Sequence, residues 1–413
     1  MTARCPFASR RFLLAAAGGL LATAAALPRT SRAAPPPATE PFWGDHQGGI
    51  ITPPQGHSYF AALDLIAKQR TDIVALLRAW TTAAARMTAG ETATTIGTDP
   101  AVPAGDSGEA LGLPPSRLTV TFGFGPGLFS KDGTDRYGLA SHRPDALVDM
   151  PAFHGDQLVE AHTGGDLAIQ ACADDPQVAF HAVRQLVRLA YGTAQLRWTQ
   201  AGFNPGFAPG ETPRNLMGFK DGTMNPKPPF TTVWVGSEGP DWMRNGSYLV
   251  TRRIRISLEH WDRTELDFQE EVIGRHKYSG APLGRQNEFA PLDLDATDQD
   301  GNPVIAENAH VRLAAPEAND GAEILRRAYS YNDGVNFTAE RWPPWRQGLM
   351  YDAGLFFVAY QRDPRTGFIR IYETMAKLDA LNQYTTHVGS GLFACPGGAR
   401  EGEFIGQRLF DAA

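Results

Sequence analysis

Asp166-Leu167-Ala168-Ile169-Gln170-Ala171-Cys172-Ala173, then Gln177-Val178-Ala179-Phe180-His181-Ala182-Val183-Arg184-Gln185-Leu186-Val187-Arg188-Leu189-Ala190, then Ala194-Gln195-Leu196-Arg197-Trp198-Thr199, change hydrophobic period twice. The first stretch is almost wholly apolar and of strand length, the second puts Val178, Ala182 and Leu186 on one helical face, and the third alternates Ala194, Leu196 and Trp198 with polar residues. Working back towards the N-terminus, the same reading predicts a strand at Tyr59–Ile66, a helix at Thr71–Met87, a Gly/Pro/Asp-rich loop through Ala101–Pro115 and a strand at Leu118–Gly123. The order is βαββαβ.

Working forward, the order recurs: strand Ser247–Ser257, helix Leu266–Arg275, a long insertion, strands Ile324–Tyr331 and Ala353–Arg362, helix Gly367–Leu378 and strand Ser390–Ala394. The expectation is an α+β chain of two ferredoxin-like βαββαβ halves, of the dimeric α+β barrel type, joined near Pro205–Pro229. Residues 34–215 form the N-terminal half and residues 216–413 the C-terminal one. Antiparallel sheets with helices on one face leave their other faces free to meet, and the pocket is expected where they do.

The chain has ordinary globular composition, 42% hydrophobic and 20% charged, with a formal net charge of −7. Residues 1–33 hold Arg4, Arg10, Arg11, Arg29 and Arg32 and no acid, so the remainder is more acidic still, which argues against nucleic acid as a partner. Ser9-Arg10-Arg11-Phe12-Leu13-Leu14 opens an apolar run to Leu27, and Ser31-Arg32-Ala33 closes it, the pattern of a twin-arginine export signal with cleavage near Ala33. The run is short and rich in Ala and Gly for a membrane span, so no stable span is expected after cleavage, and the mature chain is expected in the periplasm or outside the cell. The twin-arginine route carries folded proteins, often with a cofactor already inserted. Cys5 lies in the signal, and Cys172 and Cys395 stand far apart outside any CxxC pattern, so two buried thiols are expected rather than a disulfide framework. Gly123-Phe124-Gly125-Pro126-Gly127 matches no nucleotide-binding pattern and reads as a turn. There is no HExxH, zinc-type Cys/His cluster, nucleophile elbow or phosphate loop.

Chemistry concentrates in Asn215-Leu216-Met217-Gly218-Phe219-Lys220-Asp221-Gly222-Thr223-Met224-Asn225-Pro226, where glycines bracket one acid and let the backbone approach a flat ligand. Alone, such a GxxDG pattern reads as an Asp in a tight turn. Two later stretches change that reading: Asn308-Ala309-His310-Val311-Arg312-Leu313-Ala314-Ala315-Pro316 and Ile324-Leu325-Arg326-Arg327-Ala328-Tyr329-Ser330-Tyr331.

Together these resemble the signature of the dye-decolourising (DyP-type) haem peroxidases, in particular their exported, deferrochelatase-like members. Further matches are Pro41-Phe42-Trp43-Gly44-Asp45-His46-Gln47-Gly48-Gly49-Ile50, Arg252-Arg253-Ile254-Arg255, Trp261-Asp262-Arg263-Thr264, Gly274-Arg275-His276-Lys277 and Gly280-Ala281-Pro282-Leu283-Gly284. The resemblance implies one haem b per chain, bound in the C-terminal half. It makes His310 the axial ligand of the iron, Asp221 the distal acid and Arg326 the distal arginine, with Gly222, Thr223 and Met224 against the haem. These residue types suit the chemistry: an imidazole nitrogen holds haem iron from one face, a carboxylate moves a proton between peroxide oxygens, and a guanidinium faces the breaking O–O bond. If residues 324–331 form a strand, Arg327 points to the opposite face from Arg326. Arg275 and the Arg252–Arg255 run are candidate cations for the haem propionates. Where some exported members have an Asn-Pro-Arg run, this chain has Ala315-Pro316-Glu317, which removes a cation there.

The implied reaction reduces hydrogen peroxide by heterolysis and oxidises an organic, dye-like or phenolic donor in one-electron steps. Trp342, Trp345, Tyr329, Tyr331 and Tyr351 are candidates to relay those electrons. Two alternatives keep the pocket: release of iron from haem, or a non-catalytic haem carrier working with iron-uptake components. A carrier has no need of Asp221 and Arg326. No acid stands out in the sequence as the partner of His310.

Overall fold

The computed structural model describes residues 38–205, 211–339 and 347–413. The export signal read at residues 1–33, Trp342 and Trp345 lie outside them.

The N-terminal segment gives strand β1 (His57–Leu65), helix α1 (Arg70–Thr88), β2 (Thr119–Phe124), β3 (Leu167–Ala173), α2 (Pro176–Leu189) and β4 (Ala194–Phe203). Helix α2 starts where the sequence supplies its caps: Pro176 opens it, and Asp175 accepts hydrogen bonds from the Gln177 and Val178 amides at 2.8 and 3.1 Å. The C-terminal segment gives β5 (Ser247–Ile256), α3 (Leu266–Ile273), the single turn α4 (His310–Leu313), β6 (Leu325–Arg326), β7 (Tyr329–Ala339), β8 (Gln347–Gln361), α5 (Phe368–Leu378) and β9 (Thr385–Cys395). Strands β7 and β8 run well past their predicted bounds because mutual pairing, Val335 with Tyr351 and Phe337 with Leu349, carries a ribbon beyond the apolar run that marks it in sequence, and β9 starts earlier than predicted because Thr385–His387 pair with the end of β5.

Strand order is β4-β1-β3-β2 in the first segment and β9-β5-β8-β7 in the second, with β6 continuing the β7 edge of β8. Single pairings, Phe124 with Ala394 and Phe203 with Ser330, join the two, and the β5–β8 ladder closes an antiparallel β-barrel. The fold is α+β.

The faces that meet do not enclose the pocket. Phe60, Trp198, Phe356, Tyr360 and Phe393 fill the barrel as one buried cluster, since facing strands at barrel spacing leave room for side chains and little more. The helices sit on the outside. Beneath α1 and α2 the outer face is packed solid, Trp80 stacking on Phe122 with ring centroids 5.4 Å apart. The corresponding outer face of the second segment, under α4 and α5, is hollow, and the cavity lies there. Cys172 and Cys395 are both buried free thiols.

Candidate active site

Strand alternation builds the floor of this cavity. On β8, Leu355 and Phe357 face the cavity while Phe356 and Val358 enter the barrel core, and Ile254 and Ile256 of β5 lie alongside. Helix α5 roofs it with Phe368, Ile371, Tyr372 and Met375. The space amounts to about 1660 Å3 with its open mouth included, and its walls are largely apolar.

The GxxDG loop rims one side. Met217 and Phe219 anchor it in a small core with Ile256, Trp261 and Tyr384, and the Asn215 side chain accepts from the Met217 and Phe219 amides at 3.0 and 3.3 Å. Gly218 has φ +84°, and a Cβ there would lie 2.8 Å from the Lys277 side chain; Gly222 has φ +113°. Both positions need glycine. Asp221 lies between them, its amide bonded to the Pro213 carbonyl at 2.8 Å. Its Oδ1 accepts a hydrogen bond from Arg326 Nη1 at 2.7 Å, so acid and arginine form one charged pair facing the cavity.

Arg326 reaches Asp221 because the strand turns it outward. Arg327 points into the barrel end, where it donates to the Thr52 carbonyl and to Gln55. Asn225 clamps Arg326 in place: its Nδ2 donates to the Arg326 carbonyl at 2.7 Å and its Oδ1 accepts from the Arg326 amide at 3.0 Å. Nothing in the residues around Asn225 marks it in sequence for this part.

His310 begins α4 on the other side. Its side chain is 30% exposed and lines the cavity. Nδ1 pairs with Asp379 Oδ2 at 2.7 Å, and Asp379 Oδ1 accepts from the Leu381 amide at 2.8 Å. Burial alone pushes the imidazole towards its neutral form, but the charge and hydrogen bond of Asp379 outweigh it and raise the His310 pKa. Nε2, left free of hydrogen bonds among the described residues, is the nitrogen able to hold a metal. Asp379 lies 69 positions from His310. A lone acid at the end of a helix carries no sequence signal that could have named it.

Arg275 is 4% exposed and lines the cavity. Its Nη1 donates to the Gly280 and Glu288 carbonyls at 2.8 and 3.0 Å, while Nη2 is buried without a partner. Burial above all, opposed by Glu288 and reinforced by Arg326, lowers its pKa. Such a donor calls for an anionic acceptor in the cavity. The Arg252–Arg255 run supplies no further cation to the cavity. Arg252 is spent on Asp156, His387 and Ser390, Arg253 on Gln200, Asp333 and Asp352, and Arg255 on Thr338. Gly222, Thr223 and Met224 line the cavity beside Asp221, and Thr223 donates to Glu288 at 3.1 Å. Of the described relay candidates, Tyr329 and Tyr331 are fully buried and Tyr351 is 51% exposed.

A family model described as Dyp-type peroxidase, N-terminal, matches residues 47–204, and one described as Dyp-type peroxidase, C-terminal, matches residues 212–400. The chain belongs to the Dyp-type peroxidase family. Among curated members it is 42% identical over 385 residues to the dye-decolorizing peroxidase of Thermobifida fusca, covering 88% of this chain and 84% of that one. It is 36% identical over 385 residues to the deferrochelatase of Escherichia coli strain K12, covering 90% and 87%. Among solved structures of the family, the Dyp-type peroxidase of Streptomyces coelicolor superposes with a TM-score of 0.81 at 44% identity, covering 90% of this chain and 97% of that chain. The chain is accordingly a peroxidase, an oxidoreductase by class. No helix among the described residues is long and apolar enough to cross a membrane.

Proposed function

We infer that the chain is a haem-dependent peroxidase that reduces hydrogen peroxide and oxidises an organic donor, in which His310 would hold the iron and Asp221 and Arg326 are the catalytic pair. One observation carries the reading: a 2.7 Å Asp–Arg pair and a carboxylate-bound imidazole line one apolar cavity. The residues suit haem b. His310 offers a free Nε2, Arg275 an unpaired buried guanidinium nitrogen for a propionate, and the walls are apolar enough for a porphyrin. Gly222, Thr223 and Met224, which line the cavity, would help to hold it.

Haem, when bound, supplies the iron that takes peroxide and the oxidising equivalents passed to donors one at a time. Asp221 accepts the proton of one peroxide oxygen and delivers it to the other, so that the second leaves as water. Arg326 places positive charge beside the electrons of the breaking O–O bond and holds the carboxylate in position. In sum, one hydrogen peroxide, two electrons from two donor molecules and two protons give two waters. Asp379 keeps the His310 proton on Nδ1, so that Nε2 would be free to hold the iron.

The absorption spectrum of haem-loaded protein, before and after stoichiometric hydrogen peroxide, tests this. The Soret band should change rapidly in the wild type, slowly in Asp221→Ala and Arg326→Ala, and start from altered ligation in His310→Ala. An unchanged band in the wild type would refute the peroxidase reading. Release of iron from haem, the alternative suggested by the deferrochelatase relative, would instead yield metal-free protoporphyrin on incubation.

Three wider readings belong to the same proposal. Strand order within each segment supports two ferredoxin-like halves, residues 34–215 and 216–413. Residues 1–33 support twin-arginine export to the periplasm or beyond. An iron-uptake system is the setting in which the deferrochelatase reading would place it.

A further inference from the structure

His387, on β9, is 7% exposed and lines both the large cavity and a smaller neighbour of about 1030 Å3, open mouth included. With Tyr372, Asp379, Asn382 and Thr385 it forms the partition between them. The mechanism above makes no use of it.

Its protonation is set from behind. Fully buried Arg252 donates Nε–H to His387 Nδ1 at 2.9 Å, Nη1–H to Ser390 Oγ at 2.9 Å and Nη2–H to Asp156. A guanidinium only donates, so Nδ1 must accept, and the neutral ring carries its one proton on Nε2. Burial first, then the charge of Arg252, hold the pKa well below the usual range and keep a second proton off. Tyr372 holds the ring plane, its centroid 4.6 Å away at 31°. Nε2–H finds no acceptor among the described residues. A donor of single orientation that opens onto a cavity from a nearly buried ring, backed by a cation, favours an acceptor there, and an anion accepts best.

We propose that His387 is a carboxylate-binding residue at the junction of the two cavities, its Nε2–H donated to a carboxylate oxygen. Asp379, also in the partition, is occupied by His310 and the Leu381 amide. Two sources present this chemistry: a propionate of haem in the large cavity, or the carboxylate of an aromatic acid reductant in the smaller one, where His154 and Lys377 are opposed by Glu271. The propionate source rests on the haem reading above.

Haem-free wild type, His387→Leu and His387→Gln are titrated with haem and with haem dimethyl ester, which lacks free carboxylates, and KM is compared for 4-hydroxybenzoate and the uncharged guaiacol. With a propionate as the acceptor, leucine weakens haem binding roughly 10- to 100-fold, as expected for a charge-assisted bond, and leaves the ester unaffected. Glutamine, able to accept from Arg252 and still donate, restores affinity. With a reductant carboxylate, the KM for 4-hydroxybenzoate rises by a similar factor and that for guaiacol does not. Should the leucine variant not fold, wild type labelled with 15N-histidine reports the same bond: the His387 Nε2–H resonance moves with zinc protoporphyrin but not its dimethyl ester, or with 4-hydroxybenzoate but not guaiacol. Wild type that binds haem through His310 while every His387 comparison stays flat overturns this inference alone. Wild type that binds no haem overturns the haem reading and the propionate source with it; the 15N readout with 4-hydroxybenzoate then decides the other source.

Discussion

Replacing Asp379 by Asn changes one atom and should disable the His310 side of the site. Asp379 presents two oxygens, one to His310 Nδ1–H at 2.7 Å and the other to the Leu381 amide at 2.8 Å. An asparagine has one oxygen and one NH2. If the oxygen stays with Leu381, the NH2 faces Nδ1, which must then accept, and the imidazole proton moves to Nε2, the nitrogen that would hold iron. If the amide turns over, His310 keeps its acceptor but the Leu381 amide loses its own. Either way a charge-assisted bond beside a buried acid is lost, at roughly 1.5–3 kcal/mol. Partners of this kind cost about 10- to 100-fold in metal affinity when removed. Haem titrated into the haem-free protein and followed at the Soret band should show that loss. Affinity within about twofold of wild type, with an unchanged spectrum, would refute the argument. The pair also has a pH signature in haem-free protein. Because Asp379 raises the His310 pKa above its usual 6.5, the ion pair's stabilisation is complete below 6.5 and fades as pH rises through the folded-state value. The Tm difference between wild type and Asp379→Asn should therefore narrow with increasing pH.

Asn225→Ala removes both bonds to the Arg326 backbone, so we expect a stability loss of about 2 kcal/mol and slower reaction with peroxide at unchanged haem affinity; thermal melts and stopped-flow traces decide it. Asn225→Asp should restore only the bond from the Arg326 amide, because its second oxygen would face a carbonyl. Glu109 lies far from the cavity and tests the electrostatics of the first segment: burial works against it, but hydrogen bonds from Ser107, its own backbone and His181, with the charge of His181, lower its pKa to about 2. Its contribution, at most about 3 kcal/mol, should be present above pH 4.5 and disappear as pH falls towards 2, so Glu109→Gln should destabilise at pH 6 and match wild type near pH 2 by denaturant melts. Loading with haem should raise Tm, by the equivalent of about 2.7 kcal/mol at a hundredfold excess over Kd, and the gain should fall in His310→Ala.

What was readable from the chain alone is local. Period changes marked α1, α2, α5 and most strands, because burial of one face leaves its imprint within a few residues. Asp221, His310 and Arg326 stood out because they sit in short motifs with a family resemblance, and strand alternation separated Arg326 from Arg327 in advance. The long β7–β8 ribbon was underestimated because cross-strand pairing holds it without an apolar run. Tertiary structure alone decided which face is hollow. Both outer faces carry helices, yet Trp80 and Phe122 fill one while Ile254, Leu355 and Phe357 leave the other open, and only packed volume distinguishes them. It alone brought Asp379 to His310 and Arg252 to His387, spent the guanidiniums of Arg252, Arg253 and Arg255 on other partners and left Nη2 of Arg275 without one beside the cavity. A hydrogen bond between residues more than a hundred positions apart, such as Arg252 and His387, depends on where the strands meet, and no pattern along the chain records that.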